Sequence, residues 1–132
     1  MKLKLLTAAT ALVACASAWA GISKGPYSGM SKEQYYAVLS PEEYAFYFEA
    51  GICQTAYHHA GMVANNDYIR DEMLRQGLAA TSVGQAWRMA EAYYGGSNTV
   101  EFLKRDIPLG VEIRDDSVRT ILTYNCQKYL AD

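Results

Sequence analysis

Positive charge is scarce in this sequence and nowhere concentrated. Twelve Lys and Arg stand against 14 Asp and Glu, for a formal charge of −2. A nucleic-acid surface needs a basic patch that neutralises phosphates and releases their counterions, so nucleic acid is not an expected partner. Long apolar runs are missing as well. The longest, Leu5 to Ala14, is interrupted by Thr7 and Thr10 and falls short of the roughly 20 residues a spanning helix needs. Histidine is almost absent. His58 and His59 are the only two, and neighbours on a helix point about 100° apart, so the pair cannot clamp one metal from the same helix. Tyr57-His58-His59-Ala60-Gly61 is not the H-E-x-x-H of a zinc protease. Gly95-Gly96-Ser97-Asn98 is turn chemistry rather than a phosphate-cradling loop. The carboxylate pairs Glu42-Glu43 and Asp115-Asp116 read as helix starts. No catalytic residue, metal ligand or cofactor site is expected.

The first residues carry the clearest signal. Lys2 and Lys4 precede the apolar run, and Ala18-Trp19-Ala20 is a small-x-small cleavage pattern. These three parts make a secretory signal peptide over 1–20, which sends the chain to the periplasm or outside the cell. A second processing route is open. Leu12-Val13-Ala14-Cys15 resembles the lipobox of bacterial lipoproteins, and Ala16 resembles their outer-membrane sorting signal; lipid on Cys15 would anchor the protein to a membrane. After cleavage at Ala20, loss of Lys2 and Lys4 takes the formal charge from −2 to −4.

Cysteine is rare too, at three residues. With Cys15 removed or lipidated, Cys53 and Cys126 remain, and an oxidising compartment favours their pairing. Neither belongs to a C-x-x-C spacing.

What the chain does have is helical periodicity. Residues 21–30, with three glycines and Pro26, read as a flexible arm. Ser31 with Gln34 suggests a capping box and a short helix to about Leu39. Ser40-Pro41-Glu42-Glu43 is a complete start signal. The helix after it is expected to reach about Ala64, with Ala45, Phe48, Ile52, Ala56, Ala60 and Val63 inward and Asn65-Asn66 as its end. Asp67 then caps a shorter helix with Ile69, Met73 and Leu74 inward. Ser82 and Gln85 suggest another box. Val83, Ala86, Trp87, Ala90 and Tyr94 form a clean stripe up to Gly95-Gly96, read as a stop. Asn98 and Glu101 would open one more short helix. Pro108 and Gly110 break the pattern, leaving Val111-Glu112-Ile113 as a brief extended piece. Asp115 or Asp116 caps a final helix with Val118, Ile121, Leu122, Cys126 and Tyr129 inward. The expected fold is all-α: one domain over 31–132, a compact bundle of five or six helices, with a Cys53–Cys126 disulfide between the longest helix and the C-terminal helix.

Tyrosine is the odd feature of the composition, at 11. Tyr couples a large apolar ring to a wet hydroxyl and is enriched at binding hot spots. A short, exported, disulfide-locked domain without catalytic motifs is expected to bind another protein. The layout resembles the helical immunity proteins that neutralise amidase effectors of type VI secretion: a signal peptide, then a compact helical domain with cysteines near both ends. The stretch Cys53-Gln54-Thr55-Ala56-Tyr57 is similar to the opening helix of that family. The resemblance implies a stoichiometric inhibitor of an envelope-acting enzyme. Loop 106–113 would then be the insertion element, and Tyr35, Tyr36, Tyr93, Tyr94, Leu109 and Val111 are the candidate contacts. Two other roles fit the same layout, an acid-stress chaperone of the periplasm and a lipid-anchored envelope component. Homo-oligomerisation is a further option.

Overall fold

The computed structural model describes residues 29–108 and 110–131. They form five helices, α1 (Lys32–Ala37), α2 (Pro41–His59), α3 (Val63–Leu78), α4 (Val83–Lys104) and α5 (Val111–Thr123), closed by a 3-10 turn, η1 (Cys126–Tyr129). Among the described residues there is no strand, and no helix is long and apolar enough to cross a membrane. The expected leader, the arm up to Ser28, and Leu109 lie outside the described residues.

The start signals of α1 and α2 work as read. Ser31 Oγ accepts from Gln34 N at 3.1 Å, and Gln34 Oε1 accepts from Ser31 N at 2.9 Å. Ser40 and Glu43 repeat the exchange at 3.1 Å in both directions, with Pro41 at the first helical position. Each such cap is worth about 1 kcal/mol. At Ser82 only half of the box forms: Gln85 N donates to Ser82 Oγ, while the Gln85 side chain accepts from Thr81 instead.

Helix α2 ends earlier than its apolar pattern suggests. Gly61 turns left-handed (φ 78°), Met62 N donates to Tyr57 O at 2.9 Å and Gly61 N to His58 O at 3.0 Å. This pair of bonds is the Schellman stop, and a glycine at its left-handed position carries no Cβ penalty. Asn65 and Asn66 therefore belong to α3 rather than ending α2. Asn66 is buried, and its amide donates to Gln54 O at 3.1 Å.

The expected stop at Gly95-Gly96 does not occur; α4 runs through it and, at 22 residues, is the longest of the described helices. The reason lies in its crossing with α2, the most extensive helix contact in the fold. A Cβ on Gly51 would sit 1.9 Å from Tyr93 O, and one on Gly96 would sit 1.9 Å from Phe48 O. The two backbones touch, which only glycine permits. Beside the crossing, Thr55 and Ser97 share a hydroxyl hydrogen bond of 2.7 Å.

The core gathers around α2. Ala50, Cys53 and Tyr57 pack against Ile69 and Met73 of α3 and against Cys126 and Tyr129 of η1. Cys53 and Cys126 form the disulfide, with Cα atoms 5.5 Å apart. Cys126 sits just beyond α5, because Asn125 adopts a left-handed conformation (φ 49°) and swings the chain back onto α2. The bridge thus ties the central helix to the C-terminal turn. Tyr129 adds hydroxyl bonds to Phe46 O and Glu49, and Lys128 pairs with Glu49 at 3.0 Å.

Val111-Glu112-Ile113 is helical, the first turn of α5, and Asp115 and Asp116 lie within that helix rather than capping it. Asp116 instead receives the buried Lys104 ammonium from the end of α4.

Candidate functional site: an apolar groove between α3 and α4

The tight crossing sets the rotation of α4 about its own axis. Small residues must face α2, so Ala92 and Gly96 turn inward together with Met89 and Val100. The bulky stripe read as core turns outward: Val83 and Trp87 are exposed and Tyr94 is 61% exposed. The most regular apolar stripe in the sequence is thus left largely without a partner. On α3, Ile69 and Met73 are buried as read, but Leu74 is 63% exposed and Leu78 is 81% exposed.

Of these outward residues, Leu74, Leu78 and Tyr94 border one groove of about 430 Å³, and Val83 and Trp87 lie outside its lining. Its α3 wall carries Arg70, Met73, Leu74, Gly77 and Leu78. Its α4 wall carries Ala86, Met89, Ala90, Tyr93 and Tyr94. Both sets follow the i, i+3, i+4, i+7, i+8 spacing of a single helix face. Tyr47 of α2 forms the floor, its hydroxyl donating to Gln76 Oε1 at 3.0 Å. Burial pushes the Tyr47 phenol up, and it pushes Tyr93 up to about 12. Both hydroxyls therefore stay protonated, and that of Tyr47 is a donor in the structure. Tyr93 and Tyr94 stand edge to face, 5.4 Å apart. Arg70 closes one end, held at 3.1 Å by both Asp67 and Asp71.

The expected contact residues separate. Tyr93 and Tyr94 come together in the groove. Tyr35 is only 1% exposed, and its hydroxyl donates to Glu91 at 2.7 Å, so it is a tether between α1 and α4 and not a surface anchor. Tyr36 is exposed but committed to a different cluster, where the Arg88 guanidinium lies 4.5 Å from its ring and 4.2 Å from that of Tyr44. Val111 is exposed at the start of α5, outside the groove lining. Leu109 lies outside the described residues. The sequence reading missed Leu78 and placed Leu74, Ala86 and Ala90 in the core. The signal that separates the two faces of α4 was present in the small residues Gly84, Ala92 and Gly96, which mark where another element packs closely.

A smaller cleft of about 300 Å³ between α2, α3 and η1 has Phe46 and Tyr129 as walls and Glu72, Arg75 and Lys128 at its mouth. Those charges are already matched within the chain, Arg75 to Glu72 and Lys128 to Glu49. His59 Nε2 lies 2.9 Å from Glu101 Oε1, joining the end of α2 to α4; His58 is exposed beside it. Among the described residues no three His, Cys, Asp or Glu side chains converge as a metal-ligand set.

No known protein family, curated protein or solved structure matches this chain.

Proposed function

We propose that this is an exported, disulfide-locked helical protein that acts by binding one other protein, as a stoichiometric inhibitor or an immunity protein against an envelope enzyme such as a type VI amidase does. The α3–α4 groove is its contact surface. The observation that carries this reading is the groove between α3 and α4, on whose walls Leu74, Leu78 and Tyr94 stand exposed. Scattered exposed apolar residues need no explanation, but a continuous apolar face around a concavity is the usual mark of a binding surface. Export is supported by the leader pattern of 1–20, and an oxidising destination by the buried Cys53–Cys126 bridge.

The test is affinity capture from the native cell envelope with the wild-type protein and with Leu78→Glu, followed by titration of the purified partner. One partner at fixed stoichiometry, lost with Leu78→Glu, is the expected result. A broad set of unrelated proteins whose recovery grows in acid would instead assign the chain to the chaperones.

A further inference from the structure

If the groove binds a protein, its dimensions and charges specify the segment that enters it. We infer that this segment is a short amphipathic helix of the partner, lying lengthwise in the groove with a basic side chain at the Arg70 end. This rests on the binding role proposed above.

Length comes first. The walls run from position 70 to 78 and from 86 to 94, about 12 Å or just over two helical turns at 1.5 Å per residue. Both walls are helices whose backbone groups are already paired along their length, so no free edge exists for an added strand. Apolar ridges at one-turn spacing on two helices receive the ridge of a third, the helix-in-groove mode of recognition. A free small molecule fits less well. Small-ligand sites enclose most of their ligand, whereas this groove is open along walls whose Leu74, Leu78 and Tyr94 are largely exposed. A peptide segment broad enough to rest on these lips covers them.

Charge orients the segment. Arg70 is the only charged residue in the lining, and its guanidinium is shared by Asp67 and Asp71. Two carboxylates against one guanidinium leave that end net negative. A lysine or arginine of the partner, or the positive end of its helix dipole, is favoured there.

The probe is a 14-residue lactam-bridged helical peptide with leucines at i, i+4 and i+7 and one lysine at its end. It is titrated into the disulfide-intact protein and followed by Trp87, the only tryptophan beyond the leader. Saturable binding is expected. Leu78→Glu and Ala90→Glu should each weaken it roughly tenfold or more, as loss of an anchor contact does, while Val111→Glu leaves it unchanged. Replacing the peptide lysine by glutamate should weaken binding by roughly threefold at low salt and less at high salt. Equal binding of a proline-broken peptide, or no saturation, overturns the inference. So does a dimer in sedimentation equilibrium that Leu78→Glu splits, since the occupant is then a second copy of this chain. Should capture of the native partner depend on Leu78 while cross-linking maps a loop in the groove, the helix falls and the binding role stands. Should the peptide bind but capture ignore Leu78, the binding role falls.

Discussion

Gly51 and Gly96 lie against each other's helices so closely that a Cβ on either would meet a carbonyl oxygen at 1.9 Å, that of Tyr93 for Gly51 and that of Phe48 for Gly96. The reciprocal contact holds α2 against α4 and decides which face of α4 is left for solvent. Gly96→Ala is expected to destabilise the protein by about 3 kcal/mol, since overpacking against backbone cannot be relieved by a side-chain rotation. Alanine at an ordinary mid-helix glycine would instead stabilise by about 1 kcal/mol. Thermal unfolding distinguishes the two by the sign of the change in Tm.

The disulfide links positions 73 residues apart, and both sulfurs are inaccessible. Closing a loop of that length removes chain entropy worth about 4 kcal/mol from the unfolded state. The double variant Cys53→Ala, Cys126→Ala should lose close to that amount in denaturant unfolding. Because the bridge is buried, reductant should act on the folded protein only as fast as the C-terminal turn opens. Thiol release that tracks hydrogen exchange of residues 126–130 checks this.

Lys104 is buried, and its ammonium is met by Asp116, which Arg119 also approaches. Asp116→Asn strands a charge in the interior and should cost about 2 kcal/mol, less than for a fully buried pair because Asp116 is partly wet. Lys104→Met leaves Asp116 in contact with both Arg119 and water and should be close to neutral. Equal losses from the two variants, measured by urea unfolding, would contradict this account of α5 docking.

Acid and alkali should act very differently. The Arg75 and Gln76 side chains hold Glu72 down to about 2, and Lys104 holds Asp116 below its usual range. Depressed carboxylates stabilise above their unfolded pKa and lose that contribution as pH falls through the folded one. Stability should therefore be level from pH 7 to about 5 and decline mainly below 4. The Glu72 contribution is small because it is well solvated. Tyr35, Tyr47, Tyr57, Tyr93 and Tyr129 are all shifted the other way, chiefly by burial. An acid with a raised folded pKa stabilises below its unfolded pKa and loses that contribution as pH rises through the folded one. Unfolding should thus set in above about pH 10, with a cooperative rise in phenolate absorbance. Circular dichroism across both ranges tests this, and loss of helix near pH 5 would favour the acid-chaperone role.

Capping boxes at Ser31 and Ser40, the inward cysteines and the all-helical class were legible because each depends on local chemistry. The glycine pair was misread as a stop for a definite reason: glycine ends a helix when it turns left-handed, as Gly61 does, and lets two helices touch when it stays right-handed, as Gly96 does. Sequence spacing does not separate these cases. The stripe of Val83, Trp87 and Tyr94 likewise has the periodicity of a core face, and only the rotation imposed by Gly96 turns it outward. On α5 as well, the small Ser117 is buried while the apolar Leu122 is exposed. Periodicity reveals that a helix has an apolar side, and the closest backbone contact decides whether that side is the one covered.

The central claim is that the α3–α4 groove is where another protein sits. A photo-crosslinking side chain in place of Ala90, with a second in place of Val111 as control, tests it in the native envelope. One discrete adduct from position 90 and none from position 111 is the expected result. An adduct from position 111 alone, or a ladder of many products from both, would contradict it.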